Sequence, residues 1–410
     1  MRRLKSVSTG LLVLFFLGIS LPAEAHKHQD PQPQQPAPQQ PAPEQPETPQ
    51  PVSQQPAPQQ PEPQAEPQQP EPRKQKPAKL ESQEQEPEKQ KSKESAKDKE
   101  KKKEQDKAKA AGLPAVIWRD PGNISALNLI YGAGGGEHAP DPNDTFTFDK
   151  EDMEGTSPKF DVKDGHGAKW RVKLGEEPQS ETAATRLLWA AGYFVDEDYY
   201  LAVLKVQGLP KLHRGQSFVT EDGLVRHARL ERKDKSIKKI GNWDWFKNPF
   251  VGTKELNGLR VMMSLLNNWD LKDINNSIYV VDHQRVYLVS DVGASFGKTG
   301  DSIGRSKSDL KGYLESKFVQ KVTPTEVDFE MHSRPFILSA FNVSNYHTRT
   351  KMESVTKHIP RADAKWLGQL LGQLSEEQIR DAFRTAGYSR EEVDGYTKEV
   401  QKRIATLKDL

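Results

Sequence analysis

The chain has 410 residues, no cysteine, 30 prolines and a formal net charge of +2. Without cysteine it has no disulfide, no thiolate metal site and no thiol nucleophile. A charge so close to neutral lacks the basic excess of a general nucleic-acid binder, so nucleic acid is not an expected partner.

The first residues read as an address. Met1 to Lys5 is basic, Leu11 to Ile19 is apolar, and Ala23-Glu24-Ala25 supplies small residues before His26. This pattern predicts a signal peptide over 1–25 and an extracytoplasmic location: periplasmic, cell-envelope or secreted. Residues 29–72 are nearly all Pro, Gln, Ala and Glu. Such a tract favours polyproline II and reaches on the order of 130 Å when extended, which suits a spacer. Residues 73–110 turn to Lys, Glu, Gln and Asp. Opposite charges three and four apart support a solvated helix, and the run offers a contact for the cell envelope. Together 26–112 are expected to be a disordered linker.

Folded sequence begins near Leu113. The Gly132 to Gly136 cluster has no strand-to-helix frame and is expected to be a flexible loop. Lys159 to Lys163 and Lys169 to Leu174 alternate about the turn Asp164 to Gly167, which predicts a hairpin. The Ala/Leu-rich stretch Glu181 to Ala191 predicts a helix ending at Gly192. Strands are expected at Tyr199 to Val206 and Leu224 to Leu230. A helix is expected at Leu256 to Leu266, followed by short strands at Ser277 to Val281 and Val286 to Val289. The aromatic stretch Asn242 to Phe250 reads as core packing. The remainder reads as mostly helical. Ser375 to Gln378 and Ser389 to Glu392 each fit a capping box, which predicts a helical hairpin within 361–410.

Three clusters carry chemistry. Gly155-Thr156-Ser157-Pro158-Lys159 is a small-residue loop entering a strand. Such a loop can turn backbone N–H groups toward phosphates. Lys173, on the next strand, can reach the same phosphates, and Glu181 can hold that lysine by an ion pair. The second cluster is Asp270-Leu271-Lys272-Asp273-Ile274-Asn275. Here an aspartate can take a proton from an attacking hydroxyl, a lysine can neutralise a moving phosphoryl group, and an asparagine can offer oxygen to magnesium. The third is Asp291-Val292-Gly293, at the end of an expected strand.

Asp270-Leu271-Lys272-x-x-Asn275 resembles the catalytic loop of protein kinases, and Asp291-Val292-Gly293 resembles their Asp-Phe-Gly motif. The Gly155 to Lys159 loop is similar to that of atypical kinases of the HipA-like and phosphatidylinositol-kinase-like branch. The resemblance covers roughly residues 150–300. It departs from protein kinases in four places: no Gly-x-Gly-x-x-Gly precedes Lys173, Glu181 follows Lys173 by only eight residues, Trp269 replaces an arginine, and no Ala-Pro-Glu follows Asp291.

The resemblance implies an α+β bilobal fold, with an antiparallel N-lobe sheet over 113–235 and a mostly helical C-lobe over 236–360. It implies ATP and Mg2+ as cofactors. Gly155, Thr156, Ser157, Lys159, Lys173 and Glu181 would serve the nucleotide. Asp270 would be the base, Lys272 a phosphate contact, and Asn275 and Asp291 the metal ligands. The expected activity is phosphoryl transfer from Mg-ATP to a hydroxyl acceptor on protein, lipid or sugar. The alternative is a pseudokinase, or a structural envelope protein that binds a partner without turnover.

Overall fold

The computed structural model describes residues 101, 102, 104–234, 236–299, 304–332 and 343–410. The signal-like segment, the Pro/Gln tract and most of the Lys/Glu tract lie outside the described residues. Residues 104–110 are helical, with Lys107 3.9 Å from Glu104 one turn away. Among the described residues no helix is long and apolar enough to cross a membrane.

In chain order, β1 (Ala115–Val116) precedes β2 (Thr145–Asp152), β3 (Lys159–Lys163) and β4 (Lys169–Lys173). Helix α1 (Pro178–Ala190) leads to β5 (Asp198–Gln207), β6 (Leu224–Lys233) and β7 (Lys238–Gly241). Helix α2 (Lys254–Leu265) then precedes the hairpin β8 (Asn276–Val281) and β9 (Gln284–Val289). Next come α3 (Leu310–Glu315), β10 (Val319–Val322), β11 (Glu326–Phe329), α4 (Val343–Ser354) and β12 (Ile359–Pro360). Helices α5 (Arg361–Leu371), α6 (Glu376–Arg384) and α7 (Arg390–Lys408) close the chain.

The first sheet is a closed barrel in the order β2-β3-β4-β6-β5. The expected sheet was antiparallel, yet one pair, β2 with β5, is parallel and closes the barrel. Alternation explains its two faces. Phe160, Val172 and Leu230 share one rung and are buried inside. The neighbouring rung, Lys159, Lys173 and Arg229, points the other way. Strand β2 was not expected, although Phe146 and Phe148 alternate in it.

The second sheet runs β1-β9-β8-β7, with β1 parallel to β9. A larger core unites α1, α2, the inner face of the β8–β9 hairpin and the C-terminal helices. Helix α1 therefore packs through Ala183, Ala184, Leu187 and Leu188 with elements far downstream. This burial holds one end of the site.

Three expectations are corrected. The Gly132 to Gly134 stretch is a folded 3-10 turn and not a loose loop. A side chain on Gly132, at φ +68°, would meet the Arg186 guanidinium at 2.5 Å. Three short strands, β10 to β12, interrupt the expected helical region. Their pattern is brief, with Val327 and Phe329 alternating inward. Region 361–410 holds three helices, because α5 precedes the expected pair. Both capping boxes form as expected at Ser375 and Ser389.

Arg403 of α7 is buried beneath this core. It donates to Leu265 O at 3.1 Å, Asn267 Oδ1 at 2.8 Å and Tyr313 O at 3.0 Å, and pairs with Glu399 at 3.1 Å. Removing it strands several buried acceptors and one carboxylate. Arg403→Leu is expected to cost about 3 kcal/mol or more in urea unfolding. A loss under about 1 kcal/mol would show that the network does not hold α7 to the loop before Trp269.

Candidate functional site

The outward rung Lys159, Lys173 and Arg229 sets three cations on adjacent strands, a repulsive row unless carboxylates answer it. Helix α1 answers. Lys173 Nζ lies 2.8 Å from Glu181 Oε2 and 2.9 Å from Glu177 Oε2. Asp291, after β9, lies 3.3 Å from the same ammonium. Glu181 is shared, because Arg229 Nε approaches it at 3.2 Å. Arg229 also holds Asp198 at 2.7 Å and Glu231 at 3.0 Å.

Burial magnifies these interactions. It works against the charge on Lys173, but Glu181, Asp291 and Glu177 outweigh it and hold the ammonium more firmly protonated than an ordinary lysine. Burial pushes Glu181 up to about 7, against the pull of Arg229 and Lys173. Burial also opposes ionisation of Glu177, yet Lys173 and Lys307 hold its carboxyl down to about 2. Lys159 is lowered by burial, with Asp152 pulling the other way.

Glu177 was not among the residues singled out from sequence. It stands at the N-terminus of α1 ahead of Pro178, where the helix dipole favours an anion, and its side chain makes no capping hydrogen bond. Its two oxygens are separately used. Oε2 accepts from Lys173 and, at 2.9 Å, from Ser157 Oγ, while Oε1 accepts from Lys307 at 2.8 Å. The available signal was its place four residues after Lys173 and just before a helix-opening proline.

The small-residue loop lies beside this cage. Gly155 takes φ +71°, and its open side faces the Lys159 ammonium. Arg214 donates to the carbonyls of Gly155 and Asp152, both at 2.7 Å, and so pins the loop. Thr156 is exposed at the apex.

Asp270, Lys272 and Asn275 form a second group. Lys272 lies 2.6 Å from Asp270 Oδ1. Asn275 Nδ2 donates to Asp270 O at 2.7 Å, which leaves its amide oxygen for another partner. The groups are joined through the backbone: Ser290 N, next to Asp291, donates to Asn275 O at 2.9 Å. Gly293 is required by close packing. A Cβ there would lie 2.7 Å from Glu177 Cβ, and the Gly293 carbonyl accepts from Ser180 Oγ at 2.6 Å.

For a divalent cation, Asp291 and the Asn275 amide oxygen are hard oxygen donors of the kind magnesium takes. Asp291 keeps 45% of its side chain exposed. Oxygens of Glu177, Glu181 and Asp291 also lie within 4.8 Å of one another, but the Lys173 ammonium sits among them.

A cavity of about 390 Å³ adjoins this network through Glu231. Tyr279, Val286 and Leu288 line it from the β8–β9 hairpin that ends at Asp291, and Lys233 and Asp234 line it from the end of β6. Its walls come from remote elements, so no sequence motif marks it. The expected packing aromatics are confirmed in part. Trp243 and Trp245 are buried with rings 4.8 Å apart, whereas Phe246 is exposed.

No protein-family model matches the chain, and no curated protein matches it. Among solved structures, it is similar to the Helicobacter pylori proinflammatory kinase CtkA at 11% identity and a TM-score of 0.38, covering 65% of this chain and 96% of that one. It is also similar to a Golgi casein kinase with Mn/ADP bound, at 8% identity and a TM-score of 0.33, covering 65% and 71%. Likenesses of this size name no family for the chain.

The low pKa of Glu177 sets a pH dependence. The unfolded chain takes up this proton first as pH falls, so the stabilisation is complete above about pH 5 and is lost between about pH 4 and pH 2. It amounts to at most about 3 kcal/mol. Between about pH 5 and pH 3, the urea midpoint of the wild type should fall more steeply than that of Glu177→Gln. Parallel curves would contradict the assignment.

Proposed function

We propose that this chain is a kinase-like phosphotransferase. It moves the terminal phosphoryl group of Mg-ATP to a hydroxyl acceptor, and it works outside the cytoplasm behind its long N-terminal linker. One observation carries the reading: Asp291, 118 residues downstream, meets the buried Lys173–Glu181 pair in one ion network. Asp291 stands at the end of the hairpin whose preceding loop holds Asp270 and Asn275.

Each residue then has a task. Lys173 and Lys159 face the phosphates, with the Gly155, Thr156 and Ser157 backbone beside them. Glu181 positions Lys173. Asp270 accepts the proton of the attacking hydroxyl, and Lys272 neutralises charge on the moving group. The bond between the terminal phosphorus and the bridging oxygen breaks, a bond to the acceptor oxygen forms, and ADP leaves. Asp291 and Asn275 would hold Mg2+, whose chemistry is to neutralise phosphate charge. Positioning and electrostatics supply most of the rate. The adenine has a natural place in the cavity beside Glu231, where Tyr279, Val286 and Leu288 offer apolar surface among charged neighbours.

A second reading is a nucleotide-binding protein without turnover. The Lys272–Asp270 pair favours it, because the ammonium occupies both carboxylate oxygens, at 2.6 and 2.9 Å, that would take the proton. Turnover of ATP separates the two.

Thermal unfolding of the full chain with and without Mg-ATP, beside Asp291→Ala, tests nucleotide binding. At about 100 times the dissociation constant, a ligand of the folded state adds roughly 2.7 kcal/mol. The reading expects a magnesium-dependent rise in Tm that Asp291→Ala loses. No shift with any nucleotide at millimolar concentration would contradict it.

A further inference from the structure

We propose that Lys307 is a further phosphate-binding cation, which reads the terminal phosphate of a bound triphosphate. The inference rests on the nucleotide reading above and adds a residue that no kinase motif in the sequence marks.

Lys307 Nζ lies 2.8 Å from Glu177 Oε1, on the opposite oxygen of the carboxylate that Lys173 and Ser157 hold. One carboxylate thus bridges two ammonium groups and a hydroxyl. A phosphoryl group offers the same feature, adjacent anionic oxygens on one centre, with more charge. Glu177 holds the place that an incoming phosphate would share or take. The Lys307 side chain is 22% exposed, so solvent and ligand can reach it.

The placement is built. Trp269, immediately before Asp270, donates from its indole nitrogen to Ser306 O at 2.8 Å. Its ring carries the Arg305 guanidinium at 3.8 Å from the centroid. Ser306 N donates to Lys298 O at 3.0 Å, Ser308 N to Ser295 O at 3.0 Å and Asp309 N to Phe296 O at 2.8 Å. Lys307 is therefore presented from a segment pinned to residues 295–298, which follow Asp291 in the chain. Trp269, a departure from the kinase pattern, has a role here: it fastens the segment that carries Lys307.

The alternative role is a clamp that only steadies Glu177. Calorimetric titration of the full chain with Mg-ATP and Mg-ADP separates the two, using wild type, Lys307→Met and Lys307→Arg. Circular dichroism melts confirm that each variant is folded. The proposal expects Lys307→Met to weaken Mg-ATP binding about tenfold, with Mg-ADP changed less than about twofold. Lys307→Arg should restore most of the loss, because it keeps the charge. Equal losses for both nucleotides, or no loss for either, would overturn the proposal in favour of the clamp. If the wild type binds neither nucleotide, the nucleotide reading itself fails, and this proposal with it.

Discussion

Everything around the site depends on one ammonium group in a nearly dry place. Lys173 is buried at the end of β4 and is surrounded by Glu177, Glu181 and Asp291. A lone buried charge of this kind would unfold its surroundings or lose its proton. The carboxylates come from α1 and from the segment after β9, so the ion network joins the barrel to the larger core. Buried ion pairs repay their desolvation only with good geometry and further partners. The further partners are on hand: Lys173 and Arg229 share Glu181, and Arg229 also holds Asp198 and Glu231.

The same constraint explains the barrel. Rungs alternate between an apolar interior and a charged outer face, and the charged rung lies against α1. Helix α1 is anchored in the larger core through its alanines and leucines. Its acidic N-terminal turn is thereby held against Lys173. Gly293 lets the segment after β9 approach that turn, because any side chain there would collide with Glu177.

Much of the cage was legible in the sequence. Lys173 and Asp291 stand at strand ends, Glu181 falls in a helical stretch, and their order along the chain matches a kinase-like plan. Glu177 was not legible. It is adjacent to Glu176 and chemically identical, and only folding separates them: the side chain of Glu176 is 79% exposed and that of Glu177 12%. Lys307 was hidden for a similar reason, as its value comes from a segment held by Trp269. The cavity escaped because its lining is drawn from several separate elements. Strands β10 to β12 were too short for periodicity to declare them, and the parallel closure of β2 on β5 is a property of topology that no local pattern encodes.

The central claim is that this ammonium-centred cage exists to receive a nucleotide triphosphate. The most direct measurement is a crystal structure of the chain with Mg2+ and a non-hydrolysable ATP analogue. The account predicts phosphate oxygens on Lys173 and Lys159, the metal on Asp291 and Asn275, and the base in the cavity beside Tyr279 and Leu288. A ligand bound elsewhere, with Lys173 still enclosed by its three carboxylates at saturating analogue, would contradict it.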